Sequence, residues 1–579
     1  MIRTRAILLV ALLAAHTAAV AQLRPSQPDN PTGSRAQQLA RAKQHMVAAG
    51  HPLAVEAGLR MLDRGGSAID AMVATQLVLN LVEPSSSGIG GGAFLLYHDA
   101  KAKALNVIDG RETAPAGATP ALFVSPDGKP MEFAAARNSG LSVGTPGTPR
   151  LLEVAHARYG KLAWKELFQP AIELSEKGFP VSHRLHRQLG SEKLDFDAAA
   201  RAYFFGVDGK PKPVGTILRN PEFAATLRAL AAGGADAFYT GAIAADIVSA
   251  VRRHPAGAGT LSTDDLAAYR VRDVDAVCGK YRAWKVCGMP PSSSGGVAVL
   301  QILGALERFD LPRMGPGSAE VVHLKAEAER LAFADRGKYL GDERFVDVPV
   351  KGLVDPGYIA TRSQLIAREK SMGRAAPGTP AGVKVAFAED AHDEVIGTSH
   401  LSIVDRHGNA VSMTTTIEGN FGNGQMVRGF LLNNELTDFN FAPVDAGTLT
   451  ANSVAPGKRP RSSMAPTMVF DGRSGALELL AGSPGGSLII GYVAKAIIAT
   501  LDWNLDPQKA IDLPNFGSRN GPTEVEQGTE LESLQATLKA MGHEVRAIPM
   551  TSGLQVIRRT RAGWEGGSDP RREGVARGR

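Results

Sequence analysis

Apolar positions along this chain fall into short helical and strand-like runs separated by glycine and proline. From Pro52, residues Val55, Leu59 and Leu62 recur on one helical face, and Gly65 and Gly66 stop the pattern. Ser67 then caps a second helix carrying Ile69, Met72, Val73 and Leu77. Two helices packed on each other are predicted. Residues 85–92 are rich in serine and glycine and lead into an apolar strand at 93–97 and another at 105–109. A phosphate loop needs its glycines after a strand and at the start of a helix, so close backbone packing is the expectation here. Between about 150 and 350, helical patterns, including 321–336, alternate with Gly/Pro breaks, and no fixed-period repeat is present. Residues 371–383 are the most linker-like interior stretch.

The chemistry is concentrated in the segment downstream of that stretch. Residues 398–404 alternate as a half-buried strand, 405–409 have turn composition, and 410–417 form a second β-branched strand. With Val404 opposite Ala410, the register carries Thr398 opposite Thr416. A threonine hydroxyl is a poor nucleophile without a neighbouring base, and cutting the preceding peptide bond supplies one as the freed α-amine. Gly397-Thr398 is therefore a plausible cleavage site, with Thr416 placed to hold the hydroxyl.

Composition narrows the class. The chain has 579 residues, 44% hydrophobic and 21% charged, enough for a large core. A basic start, the apolar run 6–15 and Ala19-Val20-Ala21 read as a signal peptide over 1–21, too short to span a membrane, with secretion most simply to a periplasm. Residues 22–45 read as a flexible lead-in. The net charge of +6, helped by the basic end 571–579, is read as surface solubility, and no Lys/Arg-dense stretch interleaved with aromatics supports nucleic-acid binding. Cys278 and Cys287 flank a short turn and would form a hairpin disulfide in an oxidising compartment. Two thiols are too few for a zinc site, so no metal is expected. Gly140-Leu141-Ser142-Val143-Gly144 fits a nucleophile-elbow pattern, but Thr145-Pro146-Gly147-Thr148-Pro149 stands where the required helix would begin.

Ordered stretches across about 46–556 resemble the γ-glutamyltransferase (glutathione hydrolase) family of N-terminal-nucleophile hydrolases. They are 54–58 and 65–71, Ile108-Asp109-Gly110-Arg111-Glu112-Thr113, Ala332-Phe333-Ala334-Asp335-Arg336, Thr398-Ser399-His400, Leu431-Leu432-Asn433-Asn434, Asp438-Phe439, 457–464 and Gly482-Ser483-Pro484-Gly485-Gly486. The resemblance implies an α+β, four-layer αββα sandwich without metal or organic cofactor. It would be built from a large fragment (46–397) and a small catalytic fragment (398–579), joined as a heterodimer after self-cleavage. It also implies Thr398 as processing residue and nucleophile, supported by Thr416. Arg111, Ser462 and Ser463 would bind a substrate α-carboxylate, Glu435 and Asp438 its α-ammonium, and Gly485 and Gly486 would form an oxyanion hole. The implied reaction transfers a γ-glutamyl group from a small-molecule donor, through a Thr398 ester, to water or an amine.

Two departures stand out. Glu418 occupies a position where many members have Asn, and a carboxylate there would repel an α-carboxylate. Residues 440–461 lack the tyrosine that covers the site in several members, so an open site is expected. A glutaryl or cephalosporin side-chain acylase with the same nucleophile, and an uncut, inactive binding homologue, are the alternatives.

Overall fold

Two antiparallel seven-stranded sheets lie face to face, and the computed structural model that contains them describes residues 36–390, 397–442, 444–445 and 448–579. One sheet runs Val575–Gly578, Met46–Ala49, Ser399–Val404, Ala410–Thr416, Gly92–Asp99, Ala104–Gly110, Arg272–Val274. The other runs Ala40–Ala42, Gly563–Ser568, Gln555–Thr560, Leu477–Gly482, Thr467–Asp471, Trp284–Gly288, Val277–Tyr281. Helices Pro52–Asp63 and Ala68–Val82 cover the first sheet, and Gly295–Leu306 and Ile489–Leu501 cover the second. The result is the four-layer αββα sandwich. Each sheet takes strands from both sides of residue 398, so neither part of the chain has a complete core alone.

The layering explains why the strands around Thr398 are buried on both faces, where a half-buried strand was expected. Leu401, Ile403, Val411 and Met413 pack into the cluster with the two covering helices. The alternate positions His400, Ser402, Ser412 and Thr414 face the second sheet instead of solvent, and all four are buried. Ser402 donates to the Gln555 carbonyl at 3.1 Å and Ser412 to that of Ala481 at 3.4 Å. Period two is thus real, but its polar face looks at another sheet.

The covering helices form where their caps direct. His51 Nδ1 accepts from the Leu53 amide at 3.2 Å ahead of Pro52, and Ser67 and Asp70 make a reciprocal capping box. The hairpin register is as expected from Ser399 opposite Thr415 to Val404 opposite Ala410. Its turn is tied by Asp405, which accepts from the His407 and Asn409 amides at 2.8 and 3.1 Å. The glycines of 85–92 serve close approach. A Cβ on Gly91 would lie 2.0 Å from the Thr416 carbonyl and one on Gly90 2.1 Å from that of Leu431.

Some expectations need correction. The signal-peptide segment 1–21 lies outside the described residues. The lead-in is shorter than expected, because Ala40–Ala42 pairs by backbone hydrogen bonds with Trp564–Gly566. The basic end is not merely a soluble surface, since Arg571 and Arg572 are buried. A helix does follow the Gly140–Gly144 motif, from Thr148. Ser142 is nevertheless fully buried and donates to the Arg137 and Ser139 carbonyls, so it is not an exposed nucleophile. Cys278 and Cys287 sit directly opposite each other in a hairpin and are joined as a disulfide.

Gly91→Ala should lower the denaturation midpoint by an amount corresponding to about 1–3 kcal/mol, because the added methyl meets a buried carbonyl that cannot move without shifting the ladder. Urea titration of the variant beside the parent chain checks this.

Candidate active site

Thr398 stands one residue ahead of the Ser399–Val404 strand and has a φ of +116°. A β-branched side chain avoids that region, so the backbone here is held by its surroundings. Its amide donates to the Ser86 carbonyl at 3.1 Å, and its own carbonyl accepts from Arg572 Nη1 at 3.0 Å. Immediately before it, Gly397 lies against the chain after Thr416, where an added Cβ would be 1.7 Å from the Glu418 carbonyl. Only glycine fits there. Glu418 is itself left-handed (φ +72°), and its amide donates to Thr416 Oγ1 at 2.7 Å.

One pocket is lined by Thr398, Thr416, Arg111, Glu418, Glu435, Asp438, Ser462 and Gly486, with Met464 and Ile489 as its apolar wall. The fold delivers these from distant segments. Arg111 follows the Ala104–Gly110 strand, and Glu435 and Asp438 bracket one turn of 3-10 helix. Ser462 bridges Ser293, which fixes the chain beside the pocket. Two expected residues stand just behind the wall. Ser463 Oγ accepts from Arg336 at 2.9 Å, and Gly485 (φ +141°) packs on the Tyr492 ring. Gly485 and Gly486 both take backbone conformations with positive φ ahead of helix Ile489–Leu501, which suits residues without side chains.

Thr398 is only 4% exposed, and residue 397 lies against the Glu418 turn.

Charge is concentrated and dry. Arg111 is 1% exposed and donates to both Glu435 and Asp438, and to the Arg461 carbonyl at 3.0 Å. Asn434 donates to Glu418 at 2.6 Å and accepts from the Gly419 amide at 2.9 Å. Glu112 lies behind Arg111 and is completely buried. Burial pushes its carboxyl up to about 7 against the opposing pull of Arg111, and burial drives Glu435 well above the usual carboxylate range, with Glu112, Asp438 and Glu418 adding to the rise. Both Glu112 oxygens and Glu435 Oε2 lack a donor among the described residues. A proton shared between the two carboxyls satisfies that geometry.

Sequence reasoning gave no role to His400, Asn434, Glu112 or Arg572. The first three stood inside quoted motifs, whereas Arg572 gave no signal because its contact spans 174 residues. His400 is buried, and burial lowers its pKa to about 3, so it is neutral. Its Nε2 faces Ser402 at 3.1 Å and its Nδ1 faces Thr414 at 2.8 Å. Because the Ser402 hydroxyl donates to Gln555, the network assigns the proton to Nε2. The ring fills the space that a side chain on Gly482 would need, three residues before Gly485.

Elsewhere, His323, Glu327 and His543 bring potential metal ligands within 4.8 Å of one another. Each already has hydrogen-bond partners. His323 and His543 bond each other at 2.7 Å, the Ala367 carbonyl and Thr523 take their outer nitrogens, and Arg330, Ser371 and the Met372 amide surround Glu327. The cluster reads as a clip between the two parts of the chain.

The family model described as Gamma-glutamyltranspeptidase matches residues 54–578. A glutathione hydrolase proenzyme of Bacillus subtilis (strain 168) is 38% identical over 520 residues, which covers 88% of this chain and 87% of that protein. An "Acylase ACY 1 proenzyme" of Pseudomonas sp. (strain SE83) is 35% identical over 517 residues, 88% of each chain. Among solved structures, a cephalosporin acylase from Bacillus halodurans superposes with a TM-score of 0.82 at 27% identity, covering 96% of this chain and 99% of that one.

The buried Glu112 makes a pH prediction. The folded chain keeps this proton up to about pH 7, whereas the unfolded chain releases it near 4.5. Its stabilising contribution is therefore complete below about 4.5 and lost as pH rises through 7. Glu112→Gln, which never ionises, should gain roughly 1–3 kcal/mol on the parent chain between pH 5 and pH 8. Denaturant titrations at both pH values measure the difference, and a constant difference would mean that Glu112 is ionised throughout.

Proposed function

Because the chain belongs to the gamma-glutamyltranspeptidase family, an enzyme family, we propose that it is a secreted γ-glutamyl hydrolase/transferase that cuts itself between Gly397 and Thr398. Thr398 Oγ attacks the Gly397 carbonyl, the amide bond breaks as an ester forms, and the hydroxyl proton passes to the nitrogen. Water then hydrolyses the ester, leaving a Gly397 carboxylate and a free Thr398 amine. In the mature enzyme that amine takes the hydroxyl proton as Oγ attacks the donor's γ-carbonyl. The leaving amine departs with a proton, and water or another amine resolves the γ-glutamyl ester. Backbone amides of Gly485 and Gly486 are assigned to the oxyanion.

One observation carries the choice of donor: the pocket that holds Thr398 also holds one guanidinium and three carboxylates, Arg111 against Glu418, Glu435 and Asp438. An α-amino-acid zwitterion matches that set. Its carboxylate can take the Arg111 fork together with Ser462, and its ammonium can take the carboxylates. Glu418 interacts with Glu435 and is bonded to Asn434 beside it. This supports placing it on the ammonium side, where the repulsion expected from sequence would become an attraction. A glutaryl donor lacks the ammonium and would leave these buried carboxylates without a counter-charge. Acylases among the relatives make the glutaryl amide the proper comparison substrate.

Purified protein should run as two chains, the smaller beginning Thr-Ser-His, and Thr398→Ala should remain one inactive chain. N-terminal sequencing decides this; a small chain starting elsewhere sinks the assignment. Glu418→Asn should raise KM for a γ-glutamyl anilide about fivefold while leaving kcat nearly unchanged, since an interaction with a bound ammonium is lost equally in ground and transition states. A lowered KM would put Glu418 against the α-carboxylate, and a higher kcat/KM on the glutaryl than on the γ-glutamyl amide would favour the acylase reading.

A further inference from the structure

Arg572 lies eighth from the end of the chain, yet its guanidinium reaches the residue proposed to react. Nη1 donates to the Thr398 carbonyl at 3.0 Å, and both residues are buried. The side chain is delivered by a tightly held turn after strand Gly563–Ser568. Asp569 accepts from Ser552 Oγ at 2.6 Å and from the Leu554 amide at 3.0 Å, and its own amide donates to the Leu554 carbonyl at 3.0 Å. Arg571 pairs with Glu526 and Asp569. The stem of Arg572 packs on Gly553, where an added Cβ would be 2.8 Å from its Cδ. The Gly553 amide in turn donates to Ser483 Oγ at 3.1 Å, two residues before Gly485. One side chain thus touches the Thr398 carbonyl and Gly553, which is bonded to the residue two before Gly485.

Thr398 is held at both its polar backbone atoms by groups outside its own hairpin. Ser86 takes its amide, and Arg572 takes its carbonyl. Between these anchors it has a φ of +116°, a conformation that threonine does not keep unaided. The groups facing Arg572 are Arg184, Glu83, Asp569 and Tyr492. Glu83 also accepts from Ser399 Oγ at 2.8 Å, so the charged cluster closes around Thr398 and the first residue of the strand.

We propose that Arg572 is a positioning residue for self-cleavage: by fixing the Thr398 carbonyl it holds the threonine in its reactive conformation, so the Gly397–Thr398 bond is cut only after the C-terminal turn has docked. This rests on the self-cleavage proposed above, and it couples the cut to docking of the turn that follows strand Gly563–Ser568.

The test follows the full-length precursor as it converts to two fragments, timed on gels, for the parent chain, Arg572→Met and Arg572→Lys. Methionine keeps an unbranched apolar stem without a donor, and lysine restores one charged donor. Met should slow conversion about 10- to 100-fold, the effect of losing one hydrogen bond from a charged group, while Lys recovers most of the rate. Rescue by Lys is the outcome that a purely packing role does not give. Conversion of the Met variant at the parental rate, or Lys as slow as Met, overturns the role of Arg572. A parent chain that stays whole overturns self-cleavage itself.

Discussion

The antiparallel ladder between Ser399–Val404 and Ala410–Thr416 is the constraint on which the site depends. It lies in the middle of its sheet, with helices on one face and the second sheet on the other, so its register cannot slip without turning leucine and isoleucine toward the polar face. Where the ladder ends, Thr398 and Thr416 emerge at the same edge, and both line the pocket. The chain on either side must then bend sharply. Gly91 admits the Thr416 carbonyl, Gly397 admits that of Glu418, and Thr398 and Glu418 take positive φ. Backbone cost is concentrated around the one bond proposed to break, and a rigid core on both faces supports it.

Electrostatics sets the second constraint. A buried guanidinium facing Glu435 and Asp438 is costly unless its partners are well placed, and here both carboxylates reach it directly. Burial raises the pKa of both Glu112 and Glu435, which eases the remaining excess of negative charge. The pocket is therefore already organised as a set of opposed charges. On the proposed reading, a zwitterion enters by exchange: its carboxylate replaces a glutamate on Arg111, and its ammonium replaces Arg111 among the carboxylates. Little new charge on the protein has to be stripped of water, which suits a small polar donor in a dry site.

Local signals in the sequence were enough for the helix caps, the Asp405 turn, the hairpin register and the crowded glycines, because each depends on neighbours within a few residues. Thr398 and Thr416 were legible in the hairpin pattern, but the pocket's other residues only through the resemblance, since Arg111 and Glu435 reach Thr398 from separate parts of the chain. The polar positions of the Thr398 strand looked solvent-facing, because alternation alone does not say whether the far side is water or another sheet. The C-terminal arginines looked like soluble charge, and their burial depends on Glu526 and Asp569, to which no periodicity points. The missing tyrosine concerned only the stretch 440–461 and gave no sign of the Glu418 turn against which residue 397 lies.

On the proposed reading, cutting and catalysis meet at the Glu418 turn. Residue 397 lies on the Glu418 carbonyl, so in the precursor the scissile segment passes over the turn that carries Glu418, a residue lining the pocket. Asp390, a few residues upstream, stays tied to Arg461 and to Asn452. On the proposed reading the cut asks for no rearrangement of either sheet, because strands from both sides of residue 398 are interleaved in each of them.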